Sequence, residues 1–416
     1  MAVKKIKEMS QLLFQRLWIT FELFQKNGLT NHAAAGAYSF LLSAAPVLLI
    51  IFFFISRLLI NSPEYTADIF MRIGFLSGIL DENDLVRDFL SFANSGWVGL
   101  ISIVPLFWTA RLCVLSMQRG LGIIFPSSRF NPLRSMSITF GLVLLIILFI
   151  FIILLGYIFS TALSPNIRLI SIRFFSIGCL TLIVLISYRF LPMDAQKWKY
   201  IISGVFICIV LNQLFAAGFS FLVGPDRYNL LYGALGRLFL LLVNVYFFFM
   251  FFLFGAQFMM VQRFSDALLF TRFRKLKAKS LISGISPTLP WEKLFALLPG
   301  SLEKYLGFYK KGDVIFYRGS QSHEVYFILS GNVGVYLDDK CLNRIALINE
   351  THFFGEMELT ESEGRSASIK AETDLSVIVL SRDLFRTILR IDPETDQKLI
   401  LDLSERLRST NKQVVS

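Results

Sequence analysis

The chain has 416 residues, a formal net charge of +11, 55% hydrophobic residues and only 17% charged ones, where a typical soluble domain has about 25% charged. That length leaves room for more than one domain. The stretch from Ser135 to Ile167 runs 33 residues without a charge, which excludes an ordinary soluble protein, because about 20 apolar residues cross roughly 30 Å of hydrocarbon. Residues 1–279 sum to +14 and residues 280–416 to −3, so the basic excess does not sit on the polar part and nucleic acid is not an expected partner.

In chain order, the first segment has Leu12, Leu13, Phe14, Leu17, Trp18, Phe21 and Phe24 at helical spacing with Lys and Arg between them. It lacks the uninterrupted apolar core of a secretory signal, and it suits an amphipathic helix along the inner membrane surface over residues 1–32. Apolar runs then predict six spans, Ala33–Ser56, Trp97–Gln118, Ser135–Leu163, Ile170–Leu191, Tyr200–Val223 and Leu238–Gln262, forming a membrane domain over 33–262. The segments on the side of the two termini hold 17 Lys and Arg, against 7 on the other side. Basic residues are retained inside during insertion, so both termini are expected to be cytoplasmic. Residues 263–290 begin basic and turn to Ser, Gly and Pro, which reads as a juxtamembrane connector attracted to anionic lipid. Cys113, Cys179, Cys208 and Cys341 show no C-x-x-C spacing, so neither a disulfide framework nor a metal site is expected.

From Leu306 onward, short runs of β-branched and aromatic residues alternate with turn residues, and a helical pattern follows Arg382. The fold class expected is an α-helical polytopic membrane bundle followed by a soluble α+β domain over 291–416, a β-roll with flanking helices. Within it lies FFGEMELTESEGRSASIKA, Phe353 to Ala371. Gly355 admits close backbone approach. Glu356 is an acceptor suited to a ribose hydroxyl, and Arg365 offers a fixed fork of donors to phosphate oxygens. Ser366 and the amides after it can complete an anion cradle.

Phe354-Gly355-Glu356, Leu359, Arg365-Ser366-Ala367 and Ala371 together resemble the phosphate-binding cassette of the cyclic-nucleotide-binding family, which includes catabolite activator protein and the regulatory subunits of protein kinase A. The upstream KGDVIFYRG and YFILSGNVGVY segments extend the resemblance over roughly residues 290–410. It implies that Gly355, Glu356, Leu359, Arg365, Ser366 and Ala367 hold a cyclic nucleotide, cAMP or cGMP, as a regulatory ligand. The sequence departs from the family around Gly319–His323, where an acidic residue is often found. With the chain ending at Ser416, no helix-turn-helix is expected.

Three further stretches, LTNHAAAGAYSFLLSAAPVLL, WVGLISIVPLFWTARLCVLSMQRGLGIIF and YGALGRLFLLLVNVYFFFMFFLFGAQF, resemble the YihY/BrkB family of bacterial membrane proteins, once labelled ribonuclease BN. The resemblance covers residues 10–263 and implies the bacterial inner membrane as location; Gln257 stands where the family commonly has an acid. Only His32 of the three histidines lies in this part, and no acidic cluster lies at the cytoplasmic ends of the spans, so a ribonuclease, or any enzyme, is not expected. Inside the expected spans, Arg111, Asn212, Gln213, Arg237 and Asn244 are the polar candidates. They read either as interhelical hydrogen-bonding groups or as the lining of a solute path. The function expected is a transporter- or channel-like protein regulated by the nucleotide, with a second copy of the chain as a candidate partner in a homo-oligomer; the alternative is a non-transporting scaffold whose protein partner the nucleotide controls.

Overall fold

The computed structural model describes residues 2–42, 96–125, 136–138, 140–141, 165–192, 196–222, 225–283, 290–296, 298–338, 343–357 and 364–415. Two compact units emerge, residues 20–260 and a second made of 1–19 with 261–416.

The first unit is helical. It holds the end of α1 (Ala2–Lys26), helical residues 29–42, and α2 (Gly96–Ile124), α3 (Pro165–Phe190), α4 (Trp198–Leu222) and most of α5 (Pro225–Arg263). Ala33 and Ala37, four apart, bury one face of the 29–42 helix. A Cβ on Gly204 would stand 2.9 Å from Gly255 O, and one on Gly255 would stand 2.7 Å from Gly204 O. Only glycine permits α4 and α5 to cross so closely. Beside the crossing, the buried Tyr188 hydroxyl donates to Phe252 O at 2.6 Å. Among the described residues, two helices are long and apolar enough to cross a membrane, Trp198–Phe221 and Phe239–Arg263. Less than a third of either is buried, and Phe206, Leu214 and Phe221 face outward. A helix of a soluble core would hide such a surface; these two point to a membrane protein. The expected spans Ala33–Ser56 and Ser135–Leu163 lie largely outside the described residues.

In the second unit, α6 (Ser265–Ser283), α7 (Pro290–Ala296) and a 3-10 turn (Gly300–Tyr305) lead into a run of strands, eight among the described residues. The strands are β1 (Leu306–Tyr309), β2 (Val314–Phe316), β3 (Val325–Ser330), β4 (Val333–Tyr336), β5 (Arg344–Ile348), β6 (Phe353–Phe354), β7 (Ser368–Ala371) and β8 (Leu375–Leu380). They form two antiparallel four-stranded sheets, ordered β1-β8-β3-β6 and β2-β7-β4-β5. Helices α8 (Arg382–Ile391) and α9 (Pro393–Val415) follow. A helical region followed by a β-sheet domain with flanking helices is the architecture seen.

Strand alternation sorts the core. On β3, Tyr326 and Ile328 point between the sheets, packed with Phe316, Phe354 and Ile369. Val325 and Phe327 point the other way, into a layer built with Ala267, Phe270 and Phe273 of α6 and Phe385 and Ile388 of α8. Residues 265–283, read from sequence as part of a lipid-facing connector, thus bury an apolar face in the roll domain. Their cations are engaged there too. Arg274 is buried, donates to Thr395 Oγ1 at 2.5 Å and lies 3.7 Å from Asp392. Lys275 Nζ lies 3.0 Å from Asp392 and 2.5 Å from Glu394. Burial alone would raise the Asp392 carboxyl; the Thr395 hydroxyl and the Lys275 ammonium outweigh it, and the group titrates below the usual carboxylate range.

Candidate functional site

Strand β6 places two consecutive aromatics on opposite sides of its sheet. Phe354 stacks on Tyr326 with ring centroids 4.9 Å apart, between the sheets. Phe353 meets Phe385 of α8 at 5.2 Å and lies beneath the Arg274 guanidinium of α6. The chain then turns through Gly355 at φ +79°, a backbone conformation that side chains rarely adopt. A Cβ there would come within 2.6 Å of Arg365 Nη1. Glycine is required twice over, for the turn and for the arginine's approach.

Glu356 and Arg365 are both buried, although one is a carboxylate and the other a guanidinium. Arg365 Nη1 donates to Gly355 O at 2.8 Å, and Nη2 donates to Ser322 Oγ at 2.9 Å and Glu324 O at 2.8 Å. Its guanidinium carbon lies 4.0 Å from the centre of the Phe316 ring and 5.9 Å from that of Tyr326. The accepting carbonyl of Gly355 belongs to the peptide that joins it to Glu356. The fold therefore brings Gly355, Glu356 and Arg365 to one place, a pattern suited to gripping a small polyfunctional anion. Tyr326 donates to Glu324 Oε2 at 3.0 Å; burial first, then this carboxylate, pushes its hydroxyl well above the ordinary tyrosine value. Backbone bonds from Gly319 N to Arg365 O (2.8 Å) and from Arg365 N to Ser320 O (3.1 Å) fix the two ends of the cradle.

Of the other sequence candidates in this domain, Ser366 is exposed beside Arg365 and Ala367 is half-buried. Leu359 lies outside the described residues. Sequence reasoning missed Phe316, Tyr326 and Ser322. Ser322 falls inside the very stretch, 319–323, that departs from the family pattern, and it contacts Arg365 directly. The signal for Phe316 was its inward register in the VIF strand, which a period-two reading of KGDVIFYRG contains.

The membrane candidates lie on three helices. Arg111 is half-buried on α2, Asn212 is half-buried on α4, and Gln213 beside it is exposed. Asn244 is exposed and donates to Leu240 O at 2.8 Å, within its own helix. Arg237 is helical, and its side chain lies outside the described residues. A polar contact that was not singled out joins Asn27 Nδ2 to the buried Gln257 Oε1 at 3.5 Å.

Fold and site together define a helical unit with lipid-compatible faces joined to a cyclic-nucleotide-type roll. The chain belongs to the family described as Virulence factor BrkB, whose model matches residues 20–269. Residues 306–392 match the model described as Cyclic nucleotide-binding domain. The roll region is 29% identical over 133 residues to the cAMP-activated global transcriptional regulator CRP of Pasteurella multocida, covering 31% of this chain and 60% of that one. It is 31% identical over 112 residues to the cAMP-activated global transcriptional regulator Vfr of Pseudomonas aeruginosa, covering 26% and 52%. Among solved structures, the catabolite activator protein of Thermus thermophilus is 29% identical with a TM-score of 0.23, covering 29% of this chain and 59% of that chain. The chain spans about half the length of the curated relatives it matches.

Proposed function

We propose that this is a multi-pass inner-membrane protein whose membrane unit is controlled by cAMP or cGMP bound by Gly355, Glu356, Leu359, Arg365, Ser366 and Ala367. The observation that carries the reading is the paired burial of Glu356 and Arg365 around one peptide. In this account Arg365 exchanges protein oxygens for the cyclic phosphate, and Glu356 accepts from the ribose hydroxyl. The relatives' names, cAMP-activated in each case, favour cAMP. Six spans over 33–262, with both termini cytoplasmic, are the topology proposed, and the chain acts as a homo-oligomer rather than as an enzyme.

The membrane activity proposed is transport or conduction. Nucleotide can bias it only by binding the two membrane states with unequal affinity. A route exists in the chain: Phe353, two residues before the turn at Gly355, touches Phe270 and Arg274 of α6, which follows the membrane helix α5 after one residue. Solute flux from vesicles holding the full-length protein, measured with and without cAMP, tests it. Nucleotide-dependent flux supports the reading. Nucleotide binding with no flux for any solute favours a scaffold that passes the signal to a protein partner.

A further inference from the structure

The first helix turns two long polar side chains inward, beside the buried Ile19. Gln15 is 1% exposed and its Nε2 donates to Leu294 O of α7 at 2.8 Å. Arg16 Nη2 donates to Ser265 Oγ of α6 at 3.3 Å, and Ile19 is buried on the same side. The outer arc holds Met9, Leu13 and Phe14, which are 65%, 51% and 56% exposed. Leu17, four residues after Leu13, continues the arc and is half-exposed. A helix facing water shows the opposite pattern, polar outside and apolar inside. Its first two turns carry Lys4, Lys5 and Lys7 against one acid, Glu8.

We propose that the arc of Met9, Leu13 and Phe14 lies in the boundary between headgroups and acyl chains of an anionic leaflet, so that α1 straps the roll domain to the membrane surface. An apolar arc with a cationic end is the chemistry of an interfacial helix: the side chains enter the acyl boundary while the lysines meet anionic headgroups. The polar face is then available to hold α6 and α7, which is what Gln15 and Arg16 do. The proposal rests on the membrane reading of residues 20–260 and is independent of nucleotide binding.

The test uses full-length protein in vesicles of phosphatidylcholine and phosphatidylglycerol, with p-benzoylphenylalanine placed in turn at Phe14, at Leu13, at Phe239 of α5 and at Phe308 of the roll. Phe239 and Phe308 are both exposed on their own units. After irradiation, mass spectrometry is expected to find lipid adducts at positions 13, 14 and 239 and none at 308. In vesicles of phosphatidylcholine alone, the yield at 13 and 14 is expected to fall while that at 239 holds. Lipid adducts at 239 without any at 13 or 14 overturn the strap and leave the membrane reading intact. Adducts at none of the four overturn the membrane reading itself. Crosslinks from position 14 to a second copy of the chain overturn the lipid assignment in favour of a protein interface, and equal yields in the two kinds of vesicle overturn its anionic part.

Discussion

Replacing Phe270 by alanine tests whether α6 is part of the roll domain or a tether outside it. Phe270 is fully buried, meets the Phe327 ring edge-on at 5.2 Å and lies 6.2 Å from Phe353. Truncating a buried phenylalanine costs about 3–5 kcal/mol, and an edge-to-face aromatic pair is worth about 0.5–1.5 kcal/mol beyond its buried area. Domains of this size are stable by about 5–15 kcal/mol, so the change removes a large share of the total. The assay is urea unfolding of a fragment spanning 261–416, followed by far-ultraviolet circular dichroism, with and without Phe270→Ala. Destabilisation of about 3 kcal/mol or more is expected. A change below about 1 kcal/mol would refute the placement of α6 in the core. A fragment starting at residue 291, which lacks Ala267, Phe270 and Phe273, is expected to unfold at markedly lower urea.

Gly355→Ala is expected to destabilise the same fragment by about 1–3 kcal/mol through its φ of +79° and the clash with Arg365, and to weaken cAMP binding measured by calorimetry. Asp392→Asn is expected to cost about 1–3 kcal/mol at neutral pH. The Asp392 carboxyl titrates lower folded than unfolded, so its contribution is full above the unfolded value near 4 and is lost as pH falls through the folded one. The gap between wild type and Asp392→Asn in urea unfolding should therefore be constant from pH 6 to 8 and close in acid, and a gap that widens in acid contradicts the assignment. Gly255→Val is expected to abolish the stable membrane unit, read as loss of the monodisperse full-length protein in detergent, because α4 and α5 have no room for a side chain at their crossing.

The roll was legible because its information is local. Turn residues separate short strands, and Gly355-Glu356 with Arg365-Ser366-Ala367 puts the two chemistries of one ligand in a single segment. What completes the site was not local. Phe316, Ser322 and Tyr326 reach Arg365 from 39 to 49 positions away, through sheet register that the sequence does not display. The position of α6 was hidden for a related reason. Arg272, Arg274, Lys275, Lys277 and Lys279 form a run that topology rules explain by themselves. The partners that bury Arg274, Asp392 and Thr395, stand more than 110 residues downstream. In the membrane unit, periodicity marks apolar helices well but does not reveal which polar side chains face one another. Asn244, a candidate for contact between helices, donates to Leu240 O of its own helix.

The central claim is that Glu356 and Arg365 bind a cyclic nucleotide, and calorimetric titration of cAMP and cGMP into full-length protein and its Arg365→Ala variant tests it most directly. Loss of charge-assisted hydrogen bonds worth about 1.5–3 kcal/mol predicts roughly 10- to 150-fold weaker binding in the variant, with circular dichroism unchanged. Equal affinity in the two proteins, or no uptake of either nucleotide by the wild type, would contradict the account.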